Sequence, residues 1–195
     1  DDIRAVVGDN NTGMKISVMA DVGRCNYERD IIPKSESPID MVRIATYLHT
    51  IPKAMEMIDY CHKQGYETTI NIMAISTAKT EDLDEALSLL ADSPLKAIYL
   101  VDSYGSLYPE QIAELVKKYL AFGEKYGKEV GIHTHNNQQL AFANTIEALS
   151  LGASMLDATI NGIGRGAGNC SSELLIGFLK NPRYHLTPIL KFIED

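Results

Sequence analysis

The sequence predicts an α/β fold in which the strands of a parallel sheet alternate with helices. Short apolar segments rich in β-branched residues begin near residues 41, 68, 97, 129 and 154, and this spacing of about 28 residues fits consecutive βα units. Between them, apolar residues recur at the helical period, and proline or glycine marks several helix ends. The expected helices run from Pro52 to Gly65, from a cap at Thr80, from Pro109 to Gly127, over 138–152, over 172–179 and from Thr187.

Polar residues at the strand ends indicate how the sheet is arranged. They follow three of the apolar segments as pairs: Asp102 and Tyr104, His133 and His135, and Thr159 and Asn161. In a closed barrel the carboxyl ends of all strands meet at one mouth, whereas an open sheet concentrates its chemistry at one switch point. The sequence therefore predicts a TIM (β/α)8 barrel, with residues 1–195 forming a single domain.

The number of expected strands is smaller than eight. Six are expected, over residues 15–20, 41–46, 68–73, 97–101, 129–134 and 155–160. An eight-stranded barrel typically takes about 250 residues, whereas this chain has 195 and opens on a helix end. We therefore expect an N-terminally truncated barrel that holds strands 3–8 and lacks the first two βα units.

Composition excludes several classes of function. The formal net charge is −8 and no cluster of Lys and Arg is present, which argues against binding nucleic acid but allows a small anionic substrate. The apolar runs are too short to span a bilayer. Cys25, Cys61 and Cys170 are odd in number and widely spaced, as is typical of reduced thiols. We expect a cytoplasmic protein that binds a small molecule, with a homo-oligomer left open.

Two histidines at the end of the fifth expected strand form a candidate metal site. Side chains alternate between faces along a strand, so His133 and His135 share one face while Val130, Ile132 and Thr134 take the other. A buried polar pair without metal is the alternative, but the apolar residues of opposite parity favour a metal. Two imidazoles with oxygen ligands suit Mn²⁺, Mg²⁺, Fe²⁺, Co²⁺ or Zn²⁺.

A glycine-rich loop follows the last expected strand, over Asn161–Asn169. Its four glycines are Gly162, Gly164, Gly166 and Gly168. The loop either is a flexible rim or allows its backbone to approach a ligand and brings Asn169 to the mouth. Asn161 is a candidate substrate-binding residue, and Arg165 is expected to pair with a substrate carboxylate.

Other polar residues stand at expected strand positions. Asp102 and Tyr104 are placed to bind substrate, or to hold a metal ligand in position. Asp157 fits a structural role equally well, and Arg43 and Asn71 are expected to face the lumen or to bridge layers of the barrel. The remaining histidines are expected at the surface: His49, His62 and His185.

Four segments together resemble the metal-dependent lyase and aldolase superfamily (DRE-TIM metallolyases), which includes HMG-CoA lyase, isopropylmalate synthase and 4-hydroxy-2-oxovalerate aldolase. They are Asp102–Pro109, Gly131–Asn137, Leu140–Asn144 and Asp157–Asn169, and the resemblance covers about residues 40–180. It implies a TIM barrel with the two histidines on its seventh strand.

The resemblance also implies a site. His133, His135 and Asn169 match metal-binding residues of the superfamily. The third ligand, an aspartate, and the neighbouring arginine stand on the first strand of these enzymes, and the catalytic base is a histidine near it. We therefore expect these three outside this chain, assign no catalytic residue within it, and expect the fragment alone to bind metal weakly and to be inactive.

The details of the loop resemble the 4-hydroxy-2-oxo acid aldolases more than HMG-CoA lyase, because residues 161–169 contain no cysteine. This implies retro-aldol cleavage to pyruvate and an aldehyde, with Mn²⁺ or Mg²⁺ expected first and Zn²⁺ or Co²⁺ as alternatives. Two other functions stay open. One is an acyl-CoA condensing enzyme of the isopropylmalate synthase type on the same barrel, and the other is a non-catalytic barrel domain.

Overall fold

In a computed structural model of the chain, residues 2–8, 10–180, 182 and 184–194 are described. Six strands belong to one sheet whose strand order follows the chain. They are β1 (Ser17–Asp21), β2 (Met41–Thr46), β3 (Glu67–Ile72), β4 (Ala97–Asp102), β5 (Glu129–Thr134) and β6 (Met155–Leu156). The six predicted strands are thus all present, and the described residues contain no helix long and apolar enough to cross a membrane.

The helices in the described residues are α1 (Asp2–Val7), α2 (Tyr27–Asp30), α3 (Ile51–Lys63), α4 (Thr80–Leu89), α5 (Pro109–Tyr126), α6 (Ala141–Leu151), α7 (Ser172–Phe178) and α8 (Leu186–Glu194). Of these, α2 to α6 lie in the intervals between strands, α1 precedes β1, and α7 and α8 follow β6. Proline lies in the first turn of α3 and of α5, where its missing N–H costs nothing. Gly127 ends α5 with φ 67°, in the left-handed region.

Several predicted boundaries are wrong, and three of them have an identifiable structural reason. Thr80 is the first helical residue of α4, and its N-cap is Lys79 without a side-chain cap bond. The helix α6 starts at residue 141 and not at 138, because Gln139 has a positive φ of 59°. The last strand was predicted over 155–160 but ends at Leu156, since Thr159 pairs with Ser171 beyond the glycine-rich loop.

The chain divides into two compact units. The first comprises residues 1–72 and 79–98 and contains the parallel strands β1, β2 and β3, with Ser17 beside Met41 and Met41 beside Glu67. An ion pair and a hydrogen bond connect the starts of these strands. Glu67 pairs with Lys15, and the Asp40 carboxylate accepts a hydrogen bond from the Ile16 amide at 2.9 Å.

The second unit comprises residues 73–78 and 99–195. Its strands β5 and β6 are parallel, with Gly131 beside Met155, and α5 and α6 pack on one another. Gly131 is required by its neighbour, because a Cβ there would lie 2.7 Å from Cζ of the buried Tyr99 ring. The candidate site residues named from the sequence at 102–104, 133–135 and 157–169 all belong to this unit.

The three histidines outside the site follow the sequence prediction. His49, His62 and His185 are exposed, and Cys61 is fully buried in the core side of α3. Residues 22–40, for which the sequence predicts no element, contain α2 and a short 3-10 helix over Lys34–Glu36. The prediction of one domain over 1–195 stays a prediction.

Candidate metal site

The two histidines of β5 lie on one side of the strand, as predicted. His133 and His135 are half-buried, whereas Val130, Ile132 and Thr134, of opposite parity, are buried. Their ring centroids are 5.2 Å apart and their planes are nearly perpendicular, at 77°. Two ring nitrogens can therefore approach one ion from different directions.

Asp157 holds the ring of His133. Its Oδ2 lies 3.0 Å from Nδ1 of His133, and both side chains are mostly buried, 16% and 22% exposed. An ionised carboxylate only accepts hydrogen bonds, so this contact favours the tautomer of His133 whose Nδ1–H donates a hydrogen bond to Asp157. This leaves the lone pair of His133 on Nε2, the atom that can bind a metal.

The surroundings of His135 favour its neutral form. Burial is the largest cause that lowers its pKa, and the repulsion that a protonated His133 and the Arg165 guanidinium would exert lowers it further, while the carbonyls of Arg165 and Gly168 work in the opposite direction. The backbone amide of His135 donates to the carbonyl of Asp102 at 3.2 Å. Neutral imidazole is the form that binds metals, so a lowered pKa favours binding at neutral pH.

Asn169 lies beside His135. The two residues form an antiparallel bridge, flanked by a hydrogen bond of 2.9 Å from the Asn136 amide to the Gly168 carbonyl. Directly opposite residues of such a pair present their side chains on the same face. Nδ2 of Asn169 donates to the carbonyl of Ile163 at 3.1 Å, while its Oδ1 is buried without a hydrogen-bond partner among the described residues.

The donor atoms fit a divalent cation. They comprise the imidazoles of His133 and His135 and the amide oxygen of Asn169, whose unpaired, buried Oδ1 costs free energy unless a ligand satisfies it. Mixed nitrogen and oxygen donors suit Mn²⁺, Co²⁺ or Zn²⁺, and oxygen-rich completion suits Mg²⁺. Within the described ranges, no group of three or more His, Cys, Asp or Glu side chains could hold a metal ion.

Gly164 makes room for the Asn169 amide. A Cβ at Gly164 would lie 2.7 Å from Cγ of Asn169, and the backbone of Gly164 has no positive φ. We expect Gly164→Ala to displace the amide from Ile163 and to lower the free energy of unfolding by about 1 kcal/mol. Urea unfolding measures this, together with the chemical shift of the Asn169 side-chain amide.

Gly177→Ala is the matched control for this prediction. A Cβ at Gly177, inside α7, has no neighbour closer than 3.7 Å, so the variant should be neutral or slightly more stable. Equal unfolding curves and equal Asn169 amide shifts for the two variants would contradict the close contact at Gly164.

Asp102 organises the loop that follows β4. Its carboxylate is fully buried and accepts hydrogen bonds from the amides of Ser106 and Leu107, each at 3.2 Å. Both oxygens are therefore engaged with backbone. Tyr104, two residues on, is 52% exposed. Of the two, Tyr104 has the free surface that contact with a substrate requires.

The glycine-rich loop is held at two points. Arg165 is exposed and its Nη2 donates to the carbonyl of Ser103 at 3.0 Å. Asn161 is exposed with a left-handed φ of 54°, and its amide donates to Oε2 of Glu173 at 3.1 Å. The side chains of Asn161 and Arg165 thus stay accessible, while the backbone of the loop is fixed.

Glu173 makes the loop sensitive to acid. Burial raises the pKa of Glu173, but hydrogen bonds from Ser171, from its own amide and from the Asn161 amide together hold the pKa below its usual value of about 4.3. A carboxyl whose pKa is lowered by folding stabilises the folded state above its unfolded pKa, and this contribution is lost as the pH falls through the folded pKa.

We therefore expect Glu173→Gln to cost about 1 kcal/mol of the free energy of unfolding at pH 7. The difference between variant and parent should shrink as the pH falls below about 4, because protonation makes the two side chains alike. Urea unfolding between pH 7 and pH 3 tests this. A difference that is constant over that range would contradict the role of the charged form.

The sheet and the site define the class of protein. A parallel α/β sheet, a His-x-His strand and a glycine-rich loop ending in asparagine are the features of the DRE-TIM superfamily of lyases and aldolases. Residues 16–192 match the model of the HMGL-like family. The chain therefore belongs to the HMGL-like family.

Relatives of known name support this assignment. The chain is 33% identical over 151 residues to 4-hydroxy-2-oxovalerate aldolase of Geobacillus thermodenitrificans. The aligned region covers 77% of this chain and 43% of that protein. It is 32% identical to oxaloacetate decarboxylase of Mycobacterium tuberculosis, over 77% of this chain and 44% of that protein. The chain thus spans less than half the length of these two relatives.

A solved structure supports the fold. HMG-CoA lyase of Brucella melitensis superposes with a TM-score of 0.78 at 16% identity, covering 97% of this chain and 76% of that one. At this identity the likeness concerns the fold alone. Together with the six-stranded sheet, it confirms the predicted α/β fold of the TIM-barrel type.

Proposed function

We propose that this chain provides the histidine side of a divalent-metal site in an enzyme that cleaves a 4-hydroxy-2-oxo acid to pyruvate and an aldehyde. Members of its family are lyases and aldolases. The observation that carries the proposal is the convergence of His133, His135 and the unpaired Oδ1 of Asn169, with His133 fixed by Asp157. Three free cysteines agree with a cytoplasmic location.

The residues of the chain have distinct tasks in this proposal. Nε2 of His133, His135 and Oδ1 of Asn169 would hold the metal, for which Mn²⁺ or Mg²⁺ is our first choice. When bound, such an ion polarises the carbonyl of a 2-oxo acid and stabilises the negative charge that develops on it. Arg165 uses one nitrogen on the carbonyl of Ser103, and its other N–H groups are placed to bind a substrate carboxylate.

The bond changes follow from the substrate. Removal of the proton from the 4-hydroxyl lets its oxygen form the aldehyde carbonyl while the C3–C4 bond breaks, and the electron pair of that bond remains on pyruvate as its enolate. The exposed Tyr104 stands at the end of β4, where it is placed to contact the departing aldehyde. We assign the base to no residue of this chain.

A second candidate is decarboxylation of a 2-oxo dicarboxylic acid. It is favoured by the similarity to an oxaloacetate decarboxylase, which at 32% identity is nearly as high as that to the aldolase. Both reactions leave the same pyruvate enolate, so the same metal site would serve them. Condensation with an acyl-CoA and a non-catalytic role remain the alternatives.

The test uses the full-length protein. It is freed of metal with a chelator and then assayed for pyruvate from 4-hydroxy-2-oxovalerate and from oxaloacetate, before and after adding Mn²⁺. We expect metal-dependent pyruvate together with an aldehyde from the first substrate. Carbon dioxide without aldehyde would select the decarboxylase, and thiol release from acetyl-CoA the condensing enzyme. A full-length protein that binds no divalent metal would overturn the proposal.

A further inference from the structure

We infer that Asp157 is the positioning residue of the metal site, which fixes the tautomer and the orientation of His133 through its Nδ1. The inference deepens the proposed function and rests on it for the role of the metal. The sequence left Asp157 open between a structural and a functional role. What assigns it is the contact of 3.0 Å between Asp157 Oδ2 and His133 Nδ1.

The pairing of β5 with β6 presents this carboxylate. Gly131 lies beside Met155 and Ile132 beside Leu156, so the next step in register brings His133 beside Asp157. The Asp157 amide donates to the carbonyl of Ile132 at 3.0 Å, which holds the backbone of Asp157 next to β5 even though the strand has ended. The backbone that carries the Asp157 carboxylate is therefore held in place beside His133.

The chemistry of the contact is directional. A neutral imidazole carries one proton, which either ring nitrogen can hold, and only the other nitrogen can bind a cation. Because Asp157 accepts a hydrogen bond from Nδ1–H, the proton of the neutral ring stays on Nδ1 and Nε2 stays free of hydrogen. Without this carboxylate a fraction of the His133 rings would carry the proton on Nε2 and would have to rearrange before they bind metal.

The contact acts on one histidine of the pair. His135 interacts with the carbonyls of Arg165 and Gly168, which belong to the glycine-rich loop. His133 is held by the carboxylate that follows β6. A change at Asp157 should therefore move the signals of His133 more than those of His135, whereas a general loss of packing would move both alike.

The first experiment needs no metal. The metal-free protein is labelled with ¹⁵N-histidine, and the ring nitrogen shifts give the tautomer of each histidine. We expect His133 to carry its proton on Nδ1 in the parent and to shift towards the Nε2–H form in Asp157→Ala. Asp157→Asn keeps the volume and an acceptor oxygen. The fraction of His133 rings with the proton on Nδ1 should therefore lie between that of the parent and that of Asp157→Ala. Asp92→Ala, at an exposed aspartate, is the control.

The second experiment titrates Mn²⁺ into the full-length protein by calorimetry. We expect Asp157→Ala to raise the dissociation constant for Mn²⁺ about 10- to 100-fold. Loss of the group that accepts a hydrogen bond from a metal-bound histidine has an effect of this size in other proteins. Asp157→Asn should lose less affinity for Mn²⁺ than Asp157→Ala, and Asp92→Ala should bind Mn²⁺ like the parent. If Asp157→Ala does not fold, the isosteric Asp157→Asn carries the comparison.

The outcomes separate the inference from the proposed function. A parent protein that binds none of Mn²⁺, Mg²⁺, Co²⁺ and Zn²⁺ overturns the proposed function, while the tautomer of metal-free His133 still decides whether Asp157 positions it. A parent that binds Mn²⁺, with variants whose His133 tautomer is unchanged, overturns the inference and leaves the metal site standing. Equal shifts at His133 and His135 also overturn it, because they indicate a general loss of structure.

Discussion

Replacing Gly131 with alanine is expected to lower the free energy of unfolding by about 1–3 kcal/mol, because it overfills a packed interior. The added Cβ would lie 2.7 Å from Cζ of Tyr99, and both residues are buried, so the ring has no solvent to move into. Gly131 stands two residues before His133 on β5. Any shift of this strand that relieves the clash therefore also moves the imidazoles of His133 and His135, the proposed metal ligands.

Urea unfolding of Gly131→Ala, Tyr99→Leu and the double variant measures the coupling between the two positions. The smaller leucine leaves space for the new methyl group, so the double variant should be more stable than the sum of the two single effects predicts. Strictly additive effects would contradict a direct clash. The matched control is again Gly177→Ala, which should unfold like the parent.

The variant His133→Ala is expected to have the largest effect on function. It removes a proposed metal ligand and leaves Asp157 with a mostly buried carboxylate and no imidazole. Loss of a residue that orients a metal ligand lowers the affinity about 10- to 100-fold. In the full-length protein, His133→Ala should lower the affinity for Mn²⁺ by more than this. Calorimetry and pyruvate formation measure binding and turnover separately.

His62→Ala is the control, because His62 is an exposed histidine on α3. It should retain both Mn²⁺ affinity and turnover. The hypothesis of a non-catalytic barrel domain makes the opposite prediction for the site, namely that His133→Ala and His135→Ala leave the biological activity of the full-length protein intact. That result would remove the case for an enzyme.

Local patterns in the sequence predicted the strands and the orientation of the histidines. β2 and β5 have the predicted bounds, and the alternation that placed His133 and His135 on one face depends only on the geometry of a single strand. The motifs around them were specific enough to identify the superfamily. The substrate stayed a proposal because relatives of similar identity carry out different reactions on related acids.

Contacts between distant segments could not be predicted in the same way. The acceptor for His133 lies 24 residues away, and only the register of β6 against β5 makes the two adjacent. The predicted strand over 155–160 failed because Thr159 pairs with Ser171, which no local pattern indicates. Asp102 was predicted to bind substrate, and that role stays a prediction. The amides of Ser106 and Leu107, which donate to its carboxylate, belong to a loop whose conformation no local pattern in the sequence indicates.

The end of β5 is bonded through its backbone to both neighbouring loops. The amide of His135 donates to the carbonyl of Asp102, and the amide of Asn136 donates to the carbonyl of Gly168. Backbone hydrogen bonds of this kind do not depend on which side chains the residues carry. They do depend on the lengths of the loops that bring the donor and the acceptor together. Side-chain substitutions at the rim of this site therefore leave these two bonds in place, whereas an insertion or deletion in either loop is expected to displace them.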